Sequence, residues 1–243
     1  MIDFPFLADT LLKLSSALPV TLGLFFASFL LGGVLALLIL ALRMSRHRLL
    51  SGFARFYILV FRGSPLLIQL FLIYYGLGQF EVVRHSLFWP VLREPFACAV
   101  VALALCTASY TAEIFRGGLL AIPAGQIEAG LACGMSRWLL LRRIIAPVML
   151  RHALPAYSTE AILLVKSTAL ASLVTVWDVT GVAQQIIQRT YRTMEVFICA
   201  ALIYLILNFI IVQIYAWIER RLSPRLQTLP QPAALTVSGE NHD

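Results

Sequence analysis

The sequence predicts an all-α, polytopic membrane protein with five transmembrane helices, and three observations carry that prediction. Hydrophobic residues make up 60% of the 243 residues and charged residues 13%, against roughly half and a quarter in soluble domains. Five long apolar stretches recur along the chain, and about 20 residues of helix cross the roughly 30 Å of bilayer hydrocarbon. Basic residues gather in alternate connections between those stretches.

Taken in order, the first span is the charge-free run from Leu14 to Leu42, with Pro19 suited to a first helical turn. The second runs from about Phe56 to Leu77, the third from Pro95 to Gly117, the fourth from Leu154 to Trp177 and the fifth from Val196 to Trp217. No basic n-region or cleavage signal precedes the first run, so it is expected to be retained rather than removed. The domain thus occupies residues 1–222, and the polar tail, 223–243, is expected to be disordered.

Twelve arginines lie on one side of this layout. They are Arg43, Arg46, Arg48 and Arg55; then Arg116, Arg137, Arg142, Arg143 and Arg151; then Arg220, Arg221 and Arg225. Five basic residues lie on the other: Lys13, Arg84, Arg93, Arg189 and Arg192. The positive-inside bias then puts the N-terminus outside and the C-terminus in the cytoplasm. The net charge of +7 is spread through short loops, which speaks for membrane lipid as the surrounding partner and against nucleic acid. Cys98, Cys106, Cys133 and Cys199 show no CxxC or Cys/His ligand spacing, and the four histidines are scattered, so no metal site is expected.

One connection departs from simple loop chemistry. Between the third and fourth spans, roughly 118–150, stands "IEAGLACGMSRWLLLRRIIAP", one acid and three arginines among apolar residues. Its order is Glu128-Ala129-Gly130, three residues, Gly134, nine residues, then Ile144-Ile145-Ala146-Pro147. This resembles the EAA loop of bacterial ABC importer permeases, with Gly130 for alanine and Ala146 for leucine. "FRGSPLLIQLF" (61–71), "YTAEIFRGGLLAIPAGQIEA" (110–129) and "LPAYSTEAILLVKSTALAS" (154–172) are similar to segments of the polar amino-acid permeases, histidine, lysine/arginine/ornithine and opine subgroup. The likeness spans roughly residues 10–222.

That resemblance implies the fold of a type I ABC importer permease in the bacterial inner membrane. It implies two cytoplasmic ATPase subunits, a second permease of like fold (a heterodimer rather than a homodimer) and an extracytoplasmic solute-binding protein. The EAA segment would dock on the ATPase through Glu128, Ala129, Gly134, Met135, Trp138 and Pro147, with Leu139 adding apolar surface beside Arg137 and Arg142. The chain lacks a GxxxxGK[ST] phosphate loop and any nucleophile constellation, so it is expected to be no enzyme, with ATP and Mg bound by its partners.

Four ionisable groups stand inside the spans, where each costs roughly 2.5–3.5 kcal/mol even on the lenient insertion scale. Arg62 and Glu160 count to about 9 Å from the cytoplasmic ends and Glu113 to about 6 Å, with Lys166 near mid-span. Glu160 and Lys166 are about 240° apart around a helix and do not pair with each other. Two readings fit: a path in which Glu113 or Glu160 meets a cationic group and Lys166 or Arg62 a carboxylate, or ion pairs that fix the bundle. Tyr110, Gln69, Ser109 and Asn208 fit either a path lining or interhelical hydrogen bonds. The expected cargo is a polar or cationic amino acid (histidine, arginine, lysine, ornithine) or an opine. The alternative is a gated channel subunit with the charged layer as a selectivity ring, which leaves the EAA spacing unexplained.

Overall fold

The computed structural model describes residues 3–222; the tail from 223 lies outside the described residues. Every regular element among them is helical. Helix α1 (Phe4–Ser16) starts at Asp3, whose carboxylate accepts the Phe6 N–H at 3.2 Å, and Pro5 occupies the first turn, where its missing N–H is harmless. Arg192 donates to the same carboxylate at 2.8 Å. That bond first, and the Phe6 N–H second, hold the Asp3 carboxyl below its usual range. A charge-free run begins only at Leu14, yet the helix extends upstream of it: Phe6, Leu7 and Leu11 pack on the core around Leu14 and Ala17, and Asp9 and Lys13 pair one turn apart on the exposed side. Ala17 alone separates α1 from α2 (Leu18–Arg43).

The second span is not continuous, in contrast to the expectation from hydropathy. Helix α3 (Arg48–Gly63) and the segment Leu66–Gln79, which comprises α4 (Leu66–Phe71), a π turn and a 3-10 turn, meet at 105°. Pro65 is the cause: its ring excludes the helical region for the residue before it, and Ser64 is extended at φ −108°, ψ 147°. Gln69 braces the corner, its Nε2 donating to the Phe61 and Ser64 carbonyls at 2.9 and 3.1 Å.

Two single-turn helices, α5 (Glu81–Arg84) and α6 (Trp89–Leu92), lead into α7 (Pro95–Leu120). The EAA segment forms α8 (Ala124–Ala132) and α9 (Arg137–Leu140). From α9 the chain continues through a π turn (Leu141–Ile145), α10 (Ala146–Thr168) and a 3-10 turn (Ala169–Val174). The fourth helical run therefore begins well before Leu154. Charge at Arg142, Arg143, Arg151 and His152 hides it from a hydropathy scan, and the widened π turn accommodates Pro147, whose ring would clash with the carbonyl one regular turn back. Thr175, left-handed at φ 63°, ends this run. A 49° bend leads to α11 (Val179–Thr190), an element absent from the apolar layout, and α12 (Thr193–Leu222) closes the described chain. By length and composition, three runs (Phe4–Arg43, Pro95–Leu120, Thr193–Leu222) can cross a membrane, and five if each bent pair counts as one.

Helix α7 is the most buried of the three long runs and α12 the least. Small residues bring α7 close to its neighbours. A Cβ on Gly32 of α2 would lie 3.1 Å from the Ala104 carbonyl oxygen, and one on Gly118 would lie 2.6 Å from that of Met149 in α10. With no hydrophobic drive between helices in lipid, such close backbone packing supplies the attraction. Buried Ala36, Ala54, Ala108 and Ala112 join α2, α3 and α7, and a separate cluster of Leu14, Val179, Ala183, Val196 and Ile203 joins α1, α11 and α12.

Candidate functional site

Where α4, α7 and α10 converge they leave a cavity of about 230 Å³. Helix α7 contributes Leu103, Cys106, Thr107 and Tyr110, and α10 contributes Glu160, Leu163, Leu164 and Ser167. Each set follows the i, i+3, i+4, i+7 spacing of one helix face. Cys106, Thr107 and Ser167 were not singled out from the sequence, and that spacing from Tyr110 and Glu160 is the signal that finds them. Glu160 is only 7% exposed, and among the described residues no salt bridge reaches it. The Arg62 guanidinium, at the end of α3, lies 4.8 Å above the Tyr110 ring. Glu160 and Tyr110 thus line one cavity, while Arg62, outside that lining, stacks on the Tyr110 ring without a salt bridge to Glu160.

The other intramembrane charges lie elsewhere. Glu113 is engaged within the chain, by Arg116 Nε at 2.7 Å and by Arg43 Nε, at the end of α2, at 3.5 Å. Lys166 is exposed and does not line the cavity. Gln69 is buried at the Ser64–Pro65 corner, with its Oε1 unpartnered among the described residues. Asn208 and Ser109 each donate to a carbonyl of their own helix.

The EAA segment has a compact internal logic. Gly134 adopts φ 75°; its N–H reaches the Leu131 carbonyl at 2.9 Å, and the Met135 N–H reaches that of Gly130 at 3.1 Å. These two bonds form a Schellman cap on α8. Ser136 then caps α9, accepting the Leu139 N–H at 3.3 Å. Gly130 is buried, and a Cβ there would lie 2.5 Å from Leu140 Cδ1, so the hairpin is closed by its inner glycine. Glu128, Ala129 and Gly134 remain on the surface, with Met135 partly buried beside them. Trp138 is 70% exposed and Leu131 52%, so the hairpin presents apolar side chains on its surface. Pro147 sits at the start of α10, partly buried.

Residues 15–224 match the family described as binding-protein-dependent transport system inner membrane component. The chain belongs to that family. It is a multi-pass permease of the inner membrane and not an enzyme. It is 52% identical to the octopine transport system permease protein OccM of Rhizobium meliloti, over 98% of this chain and 97% of that one. It is 38% identical to the histidine/lysine/arginine/ornithine transport system permease protein HisM of Salmonella typhimurium, over 83% and 86%. Among solved structures, an amino acid ABC transporter with histidines superposes with a TM-score of 0.79 at 33% identity, covering 91% of this chain and 99% of that one. These relatives belong to transporters that work with ATPase and binding-protein partners, and the permease shares that type I fold.

Proposed function

We propose that this permease carries cationic amino acids or opines inward, with Glu160 meeting the solute's positive group, Arg62 its carboxylate and Tyr110 the space between. One observation carries the reading: a carboxylate buried against a cavity without a salt bridge among the described residues. A solute cation compensates a charge that hydrocarbon would otherwise disfavour. Relatives named for octopine and for histidine, lysine, arginine and ornithine support this solute class. Glu113, tied to Arg43 and Arg116, holds α2 to α7, and Gln69 holds the corner that carries Arg62. Lys166 lies on exposed surface of α10, where it serves a carboxylate along the path beyond the cavity.

A chain with so few spans lines only one wall of a path. The other wall belongs to a second permease subunit, in a heterodimer. Two ATPase subunits supply ATP and Mg²⁺ and dock on the α8–α9 hairpin through Glu128, Ala129, Gly134, Met135 and Trp138, with Pro147 at the root of the rod behind it. The arginine bias, twelve against five, sets the hairpin and C-terminus in the cytoplasm and the N-terminus outside. A ligand shifts such a machine only by binding one state better than the other, so ATP would favour the state that opens toward the loaded binding protein.

The test is uptake by vesicles carrying the assembled complex. Glu160→Gln removes a charge-assisted bond of about 1.5–3 kcal/mol, so the half-saturating concentration of arginine or octopine should rise about tenfold or more, with binding-protein affinity unchanged. Unchanged uptake and selectivity would remove Glu160 from the path.

A further inference from the structure

The corner between α10 and α11 is built around a buried acid that the transport path does not use. Asp178 is 0% exposed, and among the described residues it has no salt bridge. Its Oδ1 accepts the Gly181 N–H at 2.9 Å, capping α11, and its Oδ2 accepts the Tyr204 hydroxyl of α12 at 3.0 Å. Thr180 Oγ1 lies 3.1 Å from the same hydroxyl, which is free to accept from it. The next N–H, of Val179, donates to Thr21 Oγ1 of α2 at 3.1 Å. Gly181 permits the turn: a Cβ there would lie 2.5 Å from the Val176 carbonyl oxygen.

The first turn of α11 is thus bonded to α2 and α12. Its body packs on α1, α2, α12 and the adjoining 3-10 turn Ala169–Val174, with little direct contact to α10. Upstream the chain is differently made: a 3-10 turn over Ala169–Val174 and the left-handed Thr175, with a long 3.4 Å contact from Thr175 Oγ1 to the Tyr74 hydroxyl. Ala171, Val174 and Val176 are buried there against Leu24 of α2, Leu70 of α4 and Ala99 and Ala102 of α7. Short 3-10 turns and strained dihedrals are where helices hinge. Arg137–Val174, roughly 55 Å of chain, ends at that hinge.

We propose that Asp178 is a positioning residue that anchors α11 to the α1–α2–α12 body, so that movement of the α10 rod is absorbed at residues 169–177 while α11 stays in place and keeps the far end of the path shut. The anchor makes the resting state closed at the end away from the ATPases. Weakening it lets that end open without the binding protein, and linkage through the rod then releases ATP hydrolysis. This rests on the assembly proposed above but on no solute contact.

The test measures ATP hydrolysis by the reconstituted complex with and without liganded binding protein, for Tyr204→Phe, Asp178→Asn and the double variant. Hydrolysis without binding protein should rise roughly fivefold, the population shift for one lost hydrogen bond. The half-saturating solute concentration should stay unchanged, and the double variant should not exceed Tyr204→Phe alone, because the Asp178–Tyr204 bond can be lost only once. Should Asp178→Asn fail to assemble, Tyr204→Phe, which deletes a single oxygen, decides alone. Unchanged basal hydrolysis in assembled Tyr204→Phe, or effects of the two variants that add, would overturn the proposal. Failure of the Glu160→Gln test would leave this result standing, and the reverse holds too.

Discussion

Gly134 closes α8 at φ 75°, and a Cβ there would meet no heavy atom within 4 Å. The cost of replacing it is therefore backbone strain alone, about 1 kcal/mol for a residue with a Cβ. Gly134→Ala should leave the permease folded while the purified complex retains roughly fivefold less ATPase, and Gly134→Asn should fall nearer wild type because asparagine tolerates that region. Equal ATPase recovery from all three, read on stained gels, would detach the hairpin's shape from docking. The position of Gly134 was legible in the sequence through the EAA spacing, and the left-handed residue of a Schellman cap is its physical reason. The division of labour among the acids was not. Charge counting treats Glu113 and Glu160 alike, and only the approach of Arg43 and Arg116 separates a bundle-fixing acid from one facing a cavity.

At the scale of elements, the apolar runs located the long helices, while the bends escaped. Hydropathy averages over a window and carries no dihedral information, so it joined α3 to α4 across Pro65 and passed over the α10–α11 corner. Both had local signals, a proline after Ser64 and the cap Asp178 before a polar helix. Helix contact depends on residues too small to raise hydropathy. Gly118 meets the Met149 backbone, whereas a Cβ on its neighbour Gly117 would find nothing within 4 Å. Gly118→Val should cost about 1–3 kcal/mol through overpacking, seen as a lower thermal midpoint in detergent by fluorescence-detected gel filtration, and Gly117→Ala should be silent. Equal midpoints would mean that α7 and α10 do not depend on this close approach.

Across the whole molecule, a single helical rod from Arg137 to Val174 carries the exposed hairpin at one end, Glu160 along its length and the hinge at the other. On the proposed coupling, this connection lets a chain that lacks the GxxxxGK[ST] phosphate loop take part in ATP-driven transport, because a displacement at the hairpin would carry the cavity wall with it. The most direct test is ATP-driven uptake by the reconstituted complex carrying Glu128→Lys, with the unaltered complex beside it. The expected result is an intact, membrane-inserted permease that no longer retains the ATPase and no longer accumulates solute when ATP is supplied. Normal ATPase retention, hydrolysis and uptake in that variant would contradict mechanical coupling through the hairpin.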